Sequence, residues 1–248
     1  MSPSESNTRI IVVGGHARSI GKTQLVCDII AALPEANWIA GKITQYGHGV
    51  CAQNGHDCDC APDEHVCAID WEHDAKAGTD SSRFLAAGAR RSFWLRTKQG
   101  FLAEGMPLLR SALDEVAADH QTHAESVRAR HAVPSSSRAP IHVILESNTL
   151  LQFLKPDLFL MVLHPGKSDF KDSAQLHFDR ASAFVLRDPI QSNSNGQNVA
   201  ASWRNISLQL LRSKPTFLQR EADPLPLSLL ELVRAVACND PKTPSINL

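Results

Sequence analysis

The tripeptide Gly21–Lys22–Thr23 constrains the fold more than any other feature of this sequence. It follows a short β-branched run, Arg9–Gly14, which is apolar on both faces like a buried strand of a parallel sheet. It also opens the segment Thr23–Leu33, where apolar residues recur at helical spacing until Pro34 ends the helix. A glycine-containing loop between such a strand and helix is typical of a site that binds phosphate through backbone N–H groups.

The loop departs in one position from the usual pattern of glycine, four residues, glycine, lysine and serine or threonine. Gly15 comes one position too early, and His16 occupies the place of the first glycine. We still expect the lysine to reach the β- and γ-phosphates and the threonine hydroxyl to bind Mg²⁺. The predicted nucleotide-binding residues are Gly15, Ser19, Ile20, Gly21, Lys22, Thr23 and Gln24.

A carboxylate at the end of another buried strand is the expected second ligand of the Mg²⁺ ion. Glu146 directly follows the apolar run Ile141–Leu145 and is the candidate. Asp80 is a second candidate, by analogy with loops that sense the terminal phosphate. Lys22, Asp80 and Glu146 are therefore the residues predicted to support catalysis, which we expect to be slow hydrolysis of GTP or ATP if it occurs.

The order of elements predicts an α/β fold with a doubly wound, mostly parallel sheet of P-loop NTPase type. Apolar runs predict further strands, and helical periodicity predicts further helices, at Trp38–Thr44, Thr79–Ala89, Ser92–Arg96, Pro107–Ala118, Ile141–Leu145, Leu158–Leu163, Ala183–Arg187 and Leu227–Ala237. We expect a disordered tail over residues 1–8 and a single domain over residues 9–248. Residues 119–140 are polar and serine-rich, and predict a surface insert.

Four of the six cysteines lie within the segment 46–72, which is rich in Gly, His and Asp and predicts an irregular loop. Clustered thiolates suit Zn²⁺ or an iron–sulfur cluster. The candidate metal ligands are Cys51, Cys58, Cys60 and Cys67, with His65 as the substitute. Free thiols or a disulfide are the alternatives. The loop follows the second predicted strand, so it could border the nucleotide site, and we expect metal and nucleotide binding to be coupled.

Charge limits the range of partners. The chain of 248 residues has 25 basic and 26 acidic side chains, which argues against nucleic-acid binding. No apolar run is long enough to cross a membrane, and the polar start shows no signal pattern, so we expect a cytoplasmic protein.

The identity of the base stays open between GTP and ATP. The triplet Lys155–Pro156–Asp157, similar to a guanine-reading motif, precedes a predicted strand when it should follow one.

The sequence resembles the molybdopterin-guanine dinucleotide biosynthesis protein B family, whose members are GTP-binding adaptors of the SIMIBI class. The resemblance covers residues 9–96 and rests on Gly21–Lys22–Thr23, on Lys42–Ile43–Thr44 with His48, and on Thr79–Asp80–Ser81 followed by Ala86–Ala87–Gly88–Ala89. It implies a nucleotide-binding role in molybdenum cofactor maturation. Glu146–Ser147 replaces the Glu-Gly of the family, and the cysteine cluster replaces a short acidic and histidine-containing loop.

Three functions follow from these patterns. The first is a nucleotide-dependent accessory factor in molybdenum cofactor or metalloenzyme maturation, with a protein client and a homodimer left open. The second is a P-loop kinase acting on a small molecule. The third is a non-catalytic metal-binding interaction module that retains only the shape of the loop.

Overall fold

The computed structural model describes residues 8–47, 65–128, 141–188, 208–220 and 223–237. The strands of the sheet are β1 Ile10–Gly15, β2 Ile39–Tyr46, β3 Cys67–Glu72, β4 Arg91–Lys98, β5 Val143–Glu146, β6 Leu158–Leu163, β7 Ala183–Asp188 and β8 Thr216–Arg220. The helices are α1 Lys22–Ala32, α2 Asp80–Ala86, α3 Leu102–Arg128, α4 Asp172–Gln175, α5 Leu208–Arg212 and α6 Leu227–Ala237.

The strands form one sheet in the order β3-β4-β2-β5-β1-β6-β7-β8. Every neighbouring pair is parallel except β3 and β4, which are antiparallel at one edge. Parallel strands need long crossovers, and helices supply them here. The prediction of an α/β fold with a doubly wound, mostly parallel sheet is confirmed.

Helices cover both faces of the sheet, which explains why its central strands are apolar throughout. Ile11 and Val13 of β1 face a core layer formed with α1, α2 and α6. Val12, between them, faces the opposite layer, which includes α3 and α4. The alternation places successive β1 side chains in two separate cores, so the strand reads as a continuous β-branched run.

Strand β1 lies at the point where the direction of the sheet order reverses. The chain leaves β1 for β2 on one side, returns to β5 beside β1, and then continues to β6 on the other side. In open α/β sheets, the crevice at the carboxyl ends of the strands at such a point is where ligands bind. The loop after β1 therefore occupies the position that a nucleotide site requires.

The prediction of irregular structure over residues 46–72 is wrong at both ends of that segment. Tyr46 is the last residue of β2, and Cys67–Glu72 forms the edge strand β3. Ile69 and Trp71 alternate with polar residues and pack against the core layer that contains α3. An edge strand buries only one face, so it lacks the continuous apolar run of the other strands.

Helix α3 extends past the predicted Pro107–Ala118 at both ends. It begins at Leu102, and Pro107 lies inside it. The helix continues to Arg128, so the first part of the predicted insert 119–140 is helical. Residues 119–128 include Gln121, Ala124 and Glu125, which favour helix without forming an apolar stripe. Residues 129–140 lie outside the described residues, as does most of the predicted tail.

The sequence analysis did not predict β8, α4 or α5. Each is five residues or fewer, and β8 is an edge strand with exposed positions. Within the described part of the chain, no helix combines the length and apolar character needed to cross a membrane.

Candidate functional site

The loop between β1 and α1 contains two residues in the left-handed backbone region. Gly21 caps α1 with φ 84°, and Ser19 also has a positive φ of 50°. No side chain caps the start of α1, and its first turn contains no acidic residue. The first backbone N–H groups of the helix thus have no capping side chain, and the positive end of the helix dipole favours an anion there.

Gly15 is needed because the side chain of Lys22 crosses directly above it. A Cβ at Gly15 would lie 2.9 Å from Lys22 Cδ and 2.8 Å from Ile20 Cδ1. Lys22 Nζ donates a hydrogen bond to the backbone oxygen of Ala17, at 2.9 Å, across the loop. Burial lowers the pKa of Lys22 to about 8, although nearby Glu146 opposes that shift. The lysine side chain is thus folded over its own loop.

The structure brings the two predicted magnesium ligands together. Thr23 Oγ1 donates a hydrogen bond to Glu146 Oε2 at 2.7 Å. Glu146 is the last residue of β5 and pairs in register with Val13 on β1 and with Lys42 on β2. Its side chain is only 2% exposed, and Lys42 Nζ approaches its other oxygen at 2.5 Å. The ammonium group compensates a carboxylate whose burial alone would be costly.

Asp80 joins the same cluster from α2. Its Oδ2 lies 2.9 Å from Lys42 Nζ. Thr79 caps α2 by accepting a hydrogen bond from Ser82 N at 3.0 Å. Three side chains that the sequence placed far apart, Lys42, Asp80 and Glu146, therefore lie within one ion-pair network beside Thr23.

Glu72, at the end of β3, fixes the start of α2. Its Oε2 accepts hydrogen bonds from Thr79 Oγ1 at 2.7 Å and from Ser81 Oγ at 3.0 Å. Burial acts to raise the pKa of Glu72, but the hydrogen bond from Thr79 and the others outweigh it and hold the pKa below its usual value. The strand that follows the cysteine-rich segment is thereby connected to the helix that carries Asp80.

Asn148 is a residue of the loop that sequence reasoning missed. Its Oδ1 accepts a hydrogen bond from Gly15 N at 2.7 Å, and its Nδ2 donates to Gly15 O at 2.8 Å. The side chain thus continues the β1–β5 ladder past Glu146. A Cβ at Gly14 would lie 2.5 Å from Asn148 Oδ1, so the close approach requires glycine there.

The segment after β6 packs against the first residues of the loop. The His16 ring is buried, lies 3.3 Å from the Lys167 backbone oxygen through Nε2, and lies 5.1 Å from the Phe170 ring centroid. Burial is the main reason that the pKa of His16 is lowered. Lys171 N donates a hydrogen bond to His16 O at 2.8 Å. The residue that departs from the loop pattern is therefore an anchor between β1 and this segment.

A second Lys-x-Asp triplet, Lys167–Ser168–Asp169, lies in the loop after β6, beyond His164–Pro165–Gly166. The sequence analysis considered only Lys155–Pro156–Asp157, whose position before β6 the structure confirms. The second triplet could have been found from the sequence, because it lies shortly after the predicted strand Leu158–Leu163. Lys167 and Asp169 are exposed, and Gly166 occupies the place of the usual Asn or Thr.

Two further predicted nucleotide-binding residues, Ile20 and Gln24, have side chains that are engaged elsewhere in the protein. Ile20 is buried at 2% exposure, so only its backbone can contact a phosphate. Gln24 donates to Asp28 Oδ1 at 2.7 Å and accepts from Arg83 Nη2 at 2.7 Å. Its side chain is engaged away from the loop, and the predicted contact with nucleotide would have to use its backbone N–H.

The predicted metal loop lies largely outside the described residues, which exclude Cys51, Cys58 and Cys60. Within the described ranges, no group of three or more His, Cys, Asp or Glu side chains is placed to hold a metal ion. Cys67 opens β3 as a free thiol, and its Sγ donates to Glu104 O on α3 at 3.6 Å. Burial raises the pKa of Cys67. His65 is exposed and has a positive φ of 47°.

The sheet order and the helices on both faces define the class: a doubly wound, mostly parallel α/β protein with a glycine-containing loop between β1 and α1. No protein-family model and no curated protein matches the chain. Among solved structures, the chain is similar to HypB from Helicobacter pylori, determined in complex with nickel. The two share 13% sequence identity with a TM-score of 0.42, over 94% of this chain and 89% of that chain.

Proposed function

We propose that this protein binds a purine nucleoside triphosphate with Mg²⁺ at the loop Gly15–Gly21. The observation that carries the proposal is the 2.7 Å contact between Thr23 Oγ1 and Glu146 Oε2, directly below the start of α1. A hydroxyl and a buried carboxylate are hard oxygen ligands of the kind that Mg²⁺ takes alongside phosphate oxygens. Those two residues would hold the ion, which would neutralise charge on the β- and γ-phosphates.

The chain's own residues would bind and orient the phosphates. Backbone N–H groups of the loop and of the first turn of α1 would donate to phosphate oxygens. Lys22 would exchange its hydrogen bond to Ala17 O for a phosphate oxygen, because a charged acceptor forms the stronger bond. Burial of Lys22 excludes water from that bond and strengthens it.

We propose GTP as the preferred nucleotide. Lys167–Ser168–Asp169 follows β6 and packs through His16 against the phosphate loop, which is the placement expected of a guanine-reading triplet. The aspartate carboxylate would accept hydrogen bonds from the guanine edge. A competition assay tests this: GTP should displace a fluorescent nucleotide at lower concentration than ATP, and Asp169→Asn should reduce the difference. Equal displacement by both nucleotides in the wild-type protein would refute the preference.

The biological role that we propose is an accessory factor in molybdenum cofactor or metalloenzyme maturation, with slow hydrolysis that a protein client accelerates. The support is the resemblance of the motifs to the molybdopterin-guanine dinucleotide biosynthesis protein B family. Two of those motifs meet in space, since Lys42 and Asp80 are 2.9 Å apart. The cysteine-rich segment would hold Zn²⁺ or an iron–sulfur cluster. The candidate ligands remain Cys51, Cys58, Cys60 and Cys67, with His65 as the substitute.

Thermal denaturation distinguishes this role from the two alternatives. Nucleotide with Mg²⁺ at about 100 times its dissociation constant should stabilise the protein by about 2.7 kcal/mol, and Lys22→Ala should abolish the effect. No stabilisation of the wild-type protein would favour the non-catalytic metal-binding module. Phosphate transfer to a small acceptor, detected by radiolabelled nucleotide, would favour the kinase. Phosphate release that rises on adding a client would support the accessory factor.

A further inference from the structure

Lys42 occupies the position between the acidic groups of the site. Its Nζ lies 2.5 Å from Glu146 Oε1 and 2.9 Å from Asp80 Oδ2, and its side chain is only 16% exposed. The two carboxylates belong to β5 and α2, which have no direct sequence connection, so the ammonium group is what joins them. The second oxygen of Glu146 is held by Thr23. One ammonium group thus pairs with both carboxylates, and Arg83 Nη1 lies 3.9 Å from the other oxygen of Asp80.

An ammonium group and a divalent cation compete for such oxygens. Both need the same negative charge, and they repel each other strongly at short range in a partly buried site. A buried carboxylate that already has a counter-charge has little to gain from a free metal ion. When a nucleotide brings its own metal to Thr23 and Glu146, the ammonium group must leave Glu146, and the nearest new anion is the terminal phosphate.

We propose that Lys42 is the internal counter-cation of this site. In the nucleotide-free protein it holds Glu146 and Asp80 in place and keeps free divalent metal out. On nucleotide binding it turns from Glu146 to the terminal phosphate and becomes a further phosphate-binding residue beside Lys22. The proposal rests on the proposed function for its second part, whereas its first part concerns the free protein alone.

The first part is tested by Mn²⁺ binding to the full chain without nucleotide, followed by electron paramagnetic resonance. Mn²⁺ prefers oxygen ligands, so the thiolates of the cysteine-rich segment are poor competitors for it. The wild-type protein should bind Mn²⁺ weakly. Lys42→Met should bind it about tenfold or more tightly, since a charged contact has been freed for the metal. Lys155→Met is the matched control and should behave as wild type, because Lys155 is exposed and precedes β6, at the amino end of the parallel strands.

Two further measurements protect the test against loss of folding. Lys42→Met combined with Glu146→Gln removes both charges, and this variant should bind Mn²⁺ as weakly as wild type. The second measurement is Mn²⁺ binding to the wild-type protein itself, which carries no substitution that could impair folding. Tight binding there without nucleotide would overturn the proposal. Equal Mn²⁺ affinity of folded Lys42→Met and wild type would also overturn it.

The second part is tested by the preference for nucleoside triphosphate over diphosphate. Lys42→Met should lose about tenfold of that preference, because the lost contact is to the terminal phosphate, while Lys155→Met should keep it. An unchanged preference in Lys42→Met would overturn this part. If the wild-type protein bound neither nucleotide, the proposed function and this second part would fail together, and the Mn²⁺ result would still decide the first part.

Discussion

The amide of Asn148 offers a direct way to measure how firmly the phosphate loop is attached to the sheet. Its two hydrogen bonds to Gly15, at 2.7 and 2.8 Å, are made by one side chain to the N–H and C=O of one residue. Asn148→Ala removes both bonds and leaves the backbone of the strand otherwise unchanged. The main-chain ladder between β1 and β5 ends two residues earlier, at Val13 and Glu146, so no neighbouring pair of that ladder replaces them.

The expected loss of stability follows from the number of bonds. A neutral hydrogen bond contributes about 1 kcal/mol net, so two contribute about 2 kcal/mol. Gly15 itself is buried and Asn148 is half-buried, so groups of Gly15 left without a partner would add to this figure, and about 2 kcal/mol is the smallest loss expected. For a domain of this size, about 2 kcal/mol corresponds to a decrease of about 4–8 °C in Tm.

Urea denaturation and thermal denaturation of the nucleotide-free protein measure this loss. Gln152→Ala is the matched control, because it removes an exposed amide from the same stretch of chain, and it should change stability by less than about 0.5 kcal/mol. If Asn148→Ala unfolded at the same urea concentration and Tm as Gln152→Ala, the two contacts would contribute nothing. The view that Asn148 fixes the loop would then be wrong.

Three more predictions concern two buried side chains and one position of the backbone. Burial lowers the pKa of His142, so below pH 6.5 the unfolded chain binds more protons than the folded one, and stability should fall. An unfolding midpoint in urea that is equal at pH 7.5 and pH 5.5 would contradict this. Burial raises the pKa of Cys27 to about 11, so iodoacetamide should leave this thiol unmodified in the folded protein at pH 8. Mass spectrometry of the peptides measures the modification, and a rate equal to that of an unfolded control would contradict the prediction. Gly21→Ala should destabilise the protein more than Gly78→Ala. Both glycines have a positive φ, but only a Cβ at Gly21 would meet another side chain, Arg187 Nε at 3.0 Å. Equal Tm decreases would show that this contact costs nothing.

Apolar pattern alone predicted the interior of the fold. The strand Leu158–Leu163 and the helix Leu227–Ala237 have the predicted limits, because one is buried on both faces and the other has a clear apolar stripe. Strand β3 was missed because the charged residues Asp70 and Glu72 interrupt its apolar residues, and its strand character comes from pairing with β4. Such an edge depends on the neighbouring strand more than on its own sequence.

The sequence analysis found the residues of the candidate site that directly follow a recognisable element and missed those that meet only in the folded chain. Thr23 and Glu146 are of the first kind, and the structure places them within hydrogen-bond distance of each other. Asn148 was missed because its bonds to Gly15 exist only after β1 and β5 align. Lys42 was noticed only as part of a resemblance, since nothing in the linear chain indicates that it lies between Asp80 and Glu146.

Isothermal titration calorimetry with GTP and with ATP, each with Mg²⁺, tests the central claim most directly. The wild-type protein should release or absorb measurable heat at one site per chain, and Lys22→Ala should remove that signal while remaining folded by circular dichroism. The absence of any heat with both nucleotides, confirmed by the absence of thermal stabilisation, would contradict the assignment of the loop as a nucleotide site.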